Sequence, residues 1–306
     1  VLVFATSDKG GTGRSVTSAN IAYRRALLGD DVCYLDFDFG SPTSAAVFDV
    51  PSALRGVDQA GLHSYLRGNV AEPKRVNVWS ESDSASLRNR PSGSGQLVLV
   101  PGDRGGGEFV TGGDAVRRCT ELFLRLEEEF DIILVDLSAG RSYAAEMVLE
   151  ATSRPELAEV VTRWLVFHRW TRQHIIAASG LVYGDRGIMA AGAARGHDED
   201  TLRDSVRFVR AAVPDPSSPM FTQLRPAQAA WLRACHEDLT RLASQHRLGQ
   251  TLVLGTVPLD PVLQWQEQLI TDDDVLASRV ANTETAEAFA ALAVALTHDR
   301  AWESPL

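Results

Sequence analysis

Seven residues near the start of the chain, Lys9-Gly10-Gly11-Thr12-Gly13-Arg14-Ser15, carry its strongest chemical signal. Glycines at 10, 11 and 13 permit a tight backbone path whose N–H groups all point inward. The helical spacing that follows aims the positive end of a helix dipole at the same point. Such a loop, entered from a strand and leaving into a helix, cradles phosphate, and Ser15 is placed to offer its hydroxyl to Mg²⁺. Thr12 and Val16 belong to the same anion-wrapping stretch. Arg14 stands where a phosphate-binding loop has lysine. Lysine acts there as a compact point charge, whereas the guanidinium is bulkier, planar and bidentate. Phosphate binding is expected to survive and catalytic positioning to suffer, since a misplacement of about 1 Å lowers a rate roughly a hundredfold.

Two acids extend this chemistry. Asp36 and Asp38 in "CYLDFDFGSPT" stand at i and i+2 where a strand runs out. That spacing puts both carboxylates on one side near the phosphates, suited to a hydrated cation and a water. The competing reading is a solvated strand end.

The elements that must position these groups are short apolar runs bounded by Gly, Pro or Asp, at 2–7, 31–38, 96–101, 131–140, 163–168, 205–213 and 251–258. Helical patterns separate most of them, the first at 15–29. Runs apolar on both faces that alternate with helices predict an α/β fold, a doubly wound and mostly parallel sheet with helices on both faces. Residues 1–306 are expected to form a single domain, with irregular surface insertions near 80–95 and 184–200. A helix over 226–248 repeats Leu232, Cys235, Leu239 and Leu242, a stripe expected to pack on the sheet. The last helix, in "NTETAEAFAALAVALT", lacks the basic polar face that a membrane-surface anchor needs, so no membrane partner is expected.

Composition narrows the function classes. A hydrophobic fraction of 44% with 23% charged residues is that of a soluble globular protein. The net charge of −10 argues against a surface built throughout for nucleic acid. DNA contact would be local, at Arg203, Arg207 and Arg210 or at Arg163, Arg169 and Arg172 around Trp170, and solvated or ion-paired arginines are the favoured reading. Lysine occurs only at 9 and 74, the other 28 of 30 basic residues being arginine. Cys33, Cys119 and Cys235 form no C-x-x-C pair, and the histidines have no metal-ligand spacing. Without an apolar leader the expected location is the cytoplasm.

The glycine loop departs from an ordinary P-loop, which would place glycine where this chain has Asp8. The string instead resembles the deviant Walker A loop, K-G-G-x-G-K-S/T, of the ParA and MinD family of dimerising ATPases, with Arg14 as its single departure. The resemblance gives Lys9 the role of the signature lysine, which reaches across a nucleotide-sandwich homodimer to the partner's phosphates. It makes Asp36 a Mg²⁺-water ligand and Asp38 the residue that orients the attacking water. "FDIILVDLSAG" is similar to the Walker B and second switch region, Asp136 being the Mg²⁺-water acid and Gly140 the γ-phosphate-sensing glycine. The family often has proline in place of Ser138. "LVLGTVPLDPVLQWQEQLI" resembles the base-contacting loop, with Pro258 and Asp260 on the base side. The resemblance implies an ATP- and Mg²⁺-binding switch that dimerises and regulates or positions a partner protein, with hydrolysis slow or lost because of Arg14. The alternatives are a scaffold that has lost its nucleotide, or an ATP-dependent ligase or amidotransferase-type synthetase, whose relatives lack the signature lysine.

Overall fold

In the structure, a computed structural model, residues 1–110, 112–214, 221 and 224–303 are described. Eight strands form one sheet: β1 Leu2–Thr6, β2 Val32–Phe37, β3 Val76–Asn77, β4 Leu97–Val100, β5 Ile132–Leu137, β6 Thr162–Arg169, β7 Val206–Val213 and β8 Val253–Pro258. Their order is β3-β4-β2-β5-β1-β6-β7-β8. Every pairing is parallel except that of β3 with β4. All seven runs read from the sequence are strands. The missed one, β3, has only two residues and so no period to detect.

The doubly wound architecture follows from strands with two apolar faces. In β1, Leu2 and Phe4 join a core with β2 residues Leu35 and Phe37 on one side. Val3 and Ala5 join a second core with Val32 and Tyr34 on the other. The first core is covered by α2 (Gly113–Glu129), α3 (Tyr143–Thr152) and α4 (Arg172–Tyr183). The second is covered by α1 (Arg14–Leu27) and α6 (Thr283–Thr297). Phe289, Leu292 and Leu296 of α6 are buried against that face, so its apolar side is occupied within the fold. Among the described residues no helix is long and apolar enough to cross a membrane.

Two expectations are corrected. Helix α5 (Pro226–Gln245) buries only Ala243, and its stripe of Leu232, Cys235, Leu239 and Leu242 is half-buried. Its helix neighbour is α4. A helical stripe shows which side is covered but not by what. The stretches near 80–95 and 184–200 are not merely irregular: they include helical turns at Val78–Glu81, Ala85–Arg88, Ile188–Ala193 and Glu199–Asp204. Ile188 and Leu202 are buried in the first core. These turns are too short for a 3.6-residue period to be seen.

Three of the six arginines considered for DNA are structural. Arg163 and Arg207 are buried, with guanidinium carbons 4.8 and 5.4 Å from the Trp302 ring centre. Arg207 donates to the Ala301 carbonyl at 2.8 Å and to that of Glu303 at 3.2 Å, and Arg163 donates to the Leu296 carbonyl. Arg210, also buried, lies 4.1 Å from the Trp170 ring centre and donates to the Leu248 carbonyl at 3.2 Å. The stacked pair on Trp302 pins the C-terminal segment to β6 and β7. Trp302→Ala is expected to destabilise the fold by about 3 kcal/mol, read as a lower midpoint in urea unfolding. A change below about 0.5 kcal/mol would show the clamp to be incidental.

Candidate functional site

The parallel pairing of β1 with β5 and β6 sets the loop that follows β1 over the C-terminal edge of the sheet, where such folds bind ligands. Gly11 and Gly13 have φ of +69° and +77°, left-handed values that favour glycine. Gly13 is the N-cap of α1 and no side chain caps that end, so its first-turn N–H groups are available to an anion. A Cβ at Gly10 or Gly11 would meet nothing within 4 Å, so the loop is open above. Lys9, Gly10, Gly11 and Gly13 are exposed, while Thr12 and Val16 are buried beneath them. Lys9 has no carboxylate partner among the described residues.

Arg14 overturns an expectation. Its guanidinium, only 7% exposed, turns away from the loop mouth and toward the acids. Nε donates to Asp136 Oδ1 at 2.5 Å and Nη2 to Asp38 Oδ2 at 2.8 Å, with Ser15 Oγ 3.4 Å from Nη2. Burial works to lower its pKa, but Asp136 and Asp38 outweigh burial and raise it above the usual arginine value. The reason is the fork itself, whose donors span two carboxylates at once.

The β2–β5 register places Asp36 opposite Asp136, both buried. Asp36 accepts from the N–H groups of Ser44 at 3.0 Å and Asp38 at 3.3 Å. Burial, and then the neighbouring Asp136, push its pKa up to about 8. Ser44 Oγ donates to Asp136 Oδ2 at 3.4 Å. Ser15, Asp36, Asp38 and Asp136 are therefore brought together as the sequence led us to expect. Two carboxylates and a hydroxyl are the donor types that suit a hydrated divalent cation. In this arrangement the residues do not fit one, because both oxygens of Asp36 and of Asp136 already accept protein hydrogen bonds and Arg14 supplies the positive charge.

Sequence reasoning missed the clips on the segments that follow β2 and β5. Ser138 Oγ accepts from Phe39 N–H at 3.1 Å and donates to the Phe37 carbonyl at 3.3 Å. Proline there would offer neither bond. His63 Nδ1 accepts from Asp103 N–H at 3.0 Å, which leaves Nε2 to donate to the Phe39 carbonyl at 3.1 Å. The Phe39 ring packs against both His63 and Phe109, with centroids 4.9 and 5.0 Å away. Phe39 is thus held at its N–H, its C=O and its ring. Gly140, at φ +79°, donates its N–H to the Ser7 carbonyl at 2.7 Å, joining the segment after β5 to the start of the glycine loop. Arg141 reinforces this join through Asp8 at 3.4 Å and the Gly180 carbonyl at 2.7 Å.

Beside the loop a cavity of about 140 Å³ is lined by Gly13, Val16, Arg169, Pro258, Asp260 and Gln264, among others. Pro258 and Asp260 do border the space next to the cradle. The Asp260 carboxylate is buried and accepts from Val262 N–H at 3.1 Å, Asn282 N–H at 2.9 Å and Thr285 Oγ1 at 2.7 Å. It shapes the loop rather than presenting a free oxygen. Arg169, at the end of β6, was considered only for DNA contact; its place beside β1 could have been inferred only from the strand order. A larger groove of about 930 Å³, between α5 and α6, shares Pro258 with this cavity but none of the acids.

Arg14→Ala, which strands Asp136 and Asp38 as unpaired charges, should destabilise the fold by about 3 kcal/mol in metal-free buffer, measured by urea unfolding; an unchanged midpoint would contradict the pairing. His63 has a pKa lowered by burial, so between that value and the unfolded 6.5 the folded chain binds fewer protons. Stability should therefore fall as pH drops through 6.5 and level off below the folded value. His63→Gln should flatten this loss between pH 7 and 5, and an identical slope in both chains would exclude His63 from it.

No family model matches the chain. The septum site-determining protein MinD of Bacillus subtilis is 25% identical over 139 residues, a segment that spans 45% of this chain and 45% of that protein. The chain thus matches less than half the length of this curated relative. Among solved structures, the MinC:MinD cell division protein complex of Aquifex aeolicus gives a TM-score of 0.60 at 16% identity, covering 100% of this chain and 97% of that one. A putative plasmid partition protein of Borrelia burgdorferi bound to AMPPNP gives 0.60 at 12% identity, covering 96% and 97%. With the glycine loop opening α1 and the parallel sheet beneath it, the chain shares the fold of these MinD and plasmid-partition structures.

Proposed function

We propose that this chain is an ATP-binding switch that dimerises through its nucleotide face and regulates or positions a partner protein, with hydrolysis slow or lost. The observation that carries this reading is an open, uncapped glycine cradle whose neighbouring basic residue is engaged with acids instead. Backbone N–H groups and the helix dipole can hold phosphate without a lysine. Lys9 is exposed at the mouth, where a second copy could meet it. The similar Borrelia burgdorferi chain is bound to AMPPNP, and the similar Aquifex aeolicus chain is in a complex of MinC and MinD. Asp38, which would orient the attacking water, is tied to Arg14, and that tie favours slow hydrolysis.

The scaffold reading draws on the same ion pairs, which satisfy Asp136 and Asp38 without any nucleotide. Affinity for a fluorescent ATP analogue, single-turnover hydrolysis and light scattering separate the two. The switch reading expects ATP binding, a shift from monomer to dimer with ATP, and hydrolysis about a hundredfold or more below that of Arg14→Lys. Hydrolysis in the wild type equal to that of Arg14→Lys would remove the slow-enzyme idea, and absence of nucleotide binding would leave the scaffold.

A further inference from the structure

The two buried acids at this site have both oxygens engaged. Asp136 Oδ1 accepts from Arg14 Nε and Oδ2 from Ser44 Oγ; Asp36 Oδ1 accepts from Asp38 N–H and Oδ2 from Ser44 N–H. Asp38 Oδ2 takes the other arm of Arg14, whose Nη2 also lies 3.4 Å from Ser15 Oγ. Every residue that could hold a divalent ion here is thus in contact with the guanidinium or with a donor beside it. Arg14 is tethered to the first turn of α1 and nearly fully buried, so it is neither released nor diluted as a free ion would be. A divalent ion could reach Asp136 only by displacing this cation or by sharing a low-dielectric space with it, and like charges in such a space repel strongly.

We propose that the Arg14 guanidinium is a built-in replacement for the divalent metal, so that this site takes a polyphosphate without a metal ion. The second half of this proposal rests on the nucleotide-binding reading; the first half does not. A tethered cation can neutralise the acids, but it cannot bridge two phosphate groups as a hydrated ion does. Nucleotide would accordingly be held by the backbone cradle, and its binding uncoupled from metal supply.

The test uses Mn²⁺ alone as the probe, followed by electron paramagnetic resonance on the full chain without nucleotide. Arg14→Gln, which keeps a hydrogen-bond donor but removes the charge, is expected to bind Mn²⁺ about tenfold or more tightly than the wild type, and adding Asp136→Asn should abolish that gain. Equal affinity in wild type and Arg14→Gln, whether measurable or absent, would overturn the replacement, as would a gain that persists with Asp136→Asn. Because the titration contains no nucleotide, it tests the replacement even in a chain that binds no ATP. If Arg14→Gln does not fold, the wild type supplies a second reading. A fluorescent ATP analogue should bind with equal affinity in EDTA and in Mg²⁺, and a gain of about tenfold with Mg²⁺ would overturn the proposal. Failure to bind in either buffer refutes the polyphosphate half alone.

Discussion

Two aspartates buried side by side at the end of a parallel sheet set the terms for everything around them. The register of β2 and β5 puts Asp36 and Asp136 opposite each other. Neither can carry its charge there without compensation, because desolvation and mutual repulsion both oppose ionisation. The structure resolves the conflict in two ways. Asp36 accepts two backbone N–H bonds, while Asp136 is paired with Arg14. Arginine suits this task where lysine would not, since one planar group reaches Asp136 and Asp38 together. The side chain that departs from the loop pattern is therefore the one that completes the buried charge balance.

The same neighbourhood is held unusually firmly. Phe39, one residue beyond Asp38, is gripped by Ser138 on its N–H and by His63 on its carbonyl. The segment after β5 is closed onto the glycine loop by Gly140 and Arg141. A switch acts by having two arrangements of comparable free energy, and each of these bonds favours the one seen. A ligand that opens this arrangement must supply more interaction energy than the clips it breaks, which is consistent with a slow cycle or a static scaffold. The cradle is different. Its glycines are exposed and open, so an anion can be received there without disturbing the acids.

Much of this was legible in the sequence because it is written in local pattern. The seven longer strands, the glycine loop and the cluster of Ser15, Asp36, Asp38 and Asp136 follow from apolar runs, turn residues and the resemblance of short motifs. The direction of Arg14 was not legible. A phosphate loop directs its basic residue toward its mouth, and only the β2–β5 register reveals that two buried acids compete for it. Ser138 and His63 were hidden for a similar reason, as their partners lie 99 and 24 residues away in the chain. The arginines around Trp302 and Trp170 read as surface charge because no local pattern separates a guanidinium over a ring from one in water. Helix α5 shows the limit of periodicity, which identified a covered stripe but not the helix that covers part of it.

Arg14 is locked to the acids rather than free to meet phosphate. Its Nε–H reports on this directly, since a buried proton bonded to a carboxylate exchanges with solvent far more slowly than one on the surface. Nitrogen-resolved NMR of the guanidinium groups in D₂O should show the Arg14 Nε–H persisting long after that of half-exposed Arg117 has vanished, and Asp136→Asn should hasten its loss. An Arg14 Nε–H that exchanges as quickly as that of Arg117 would contradict the locked arrangement.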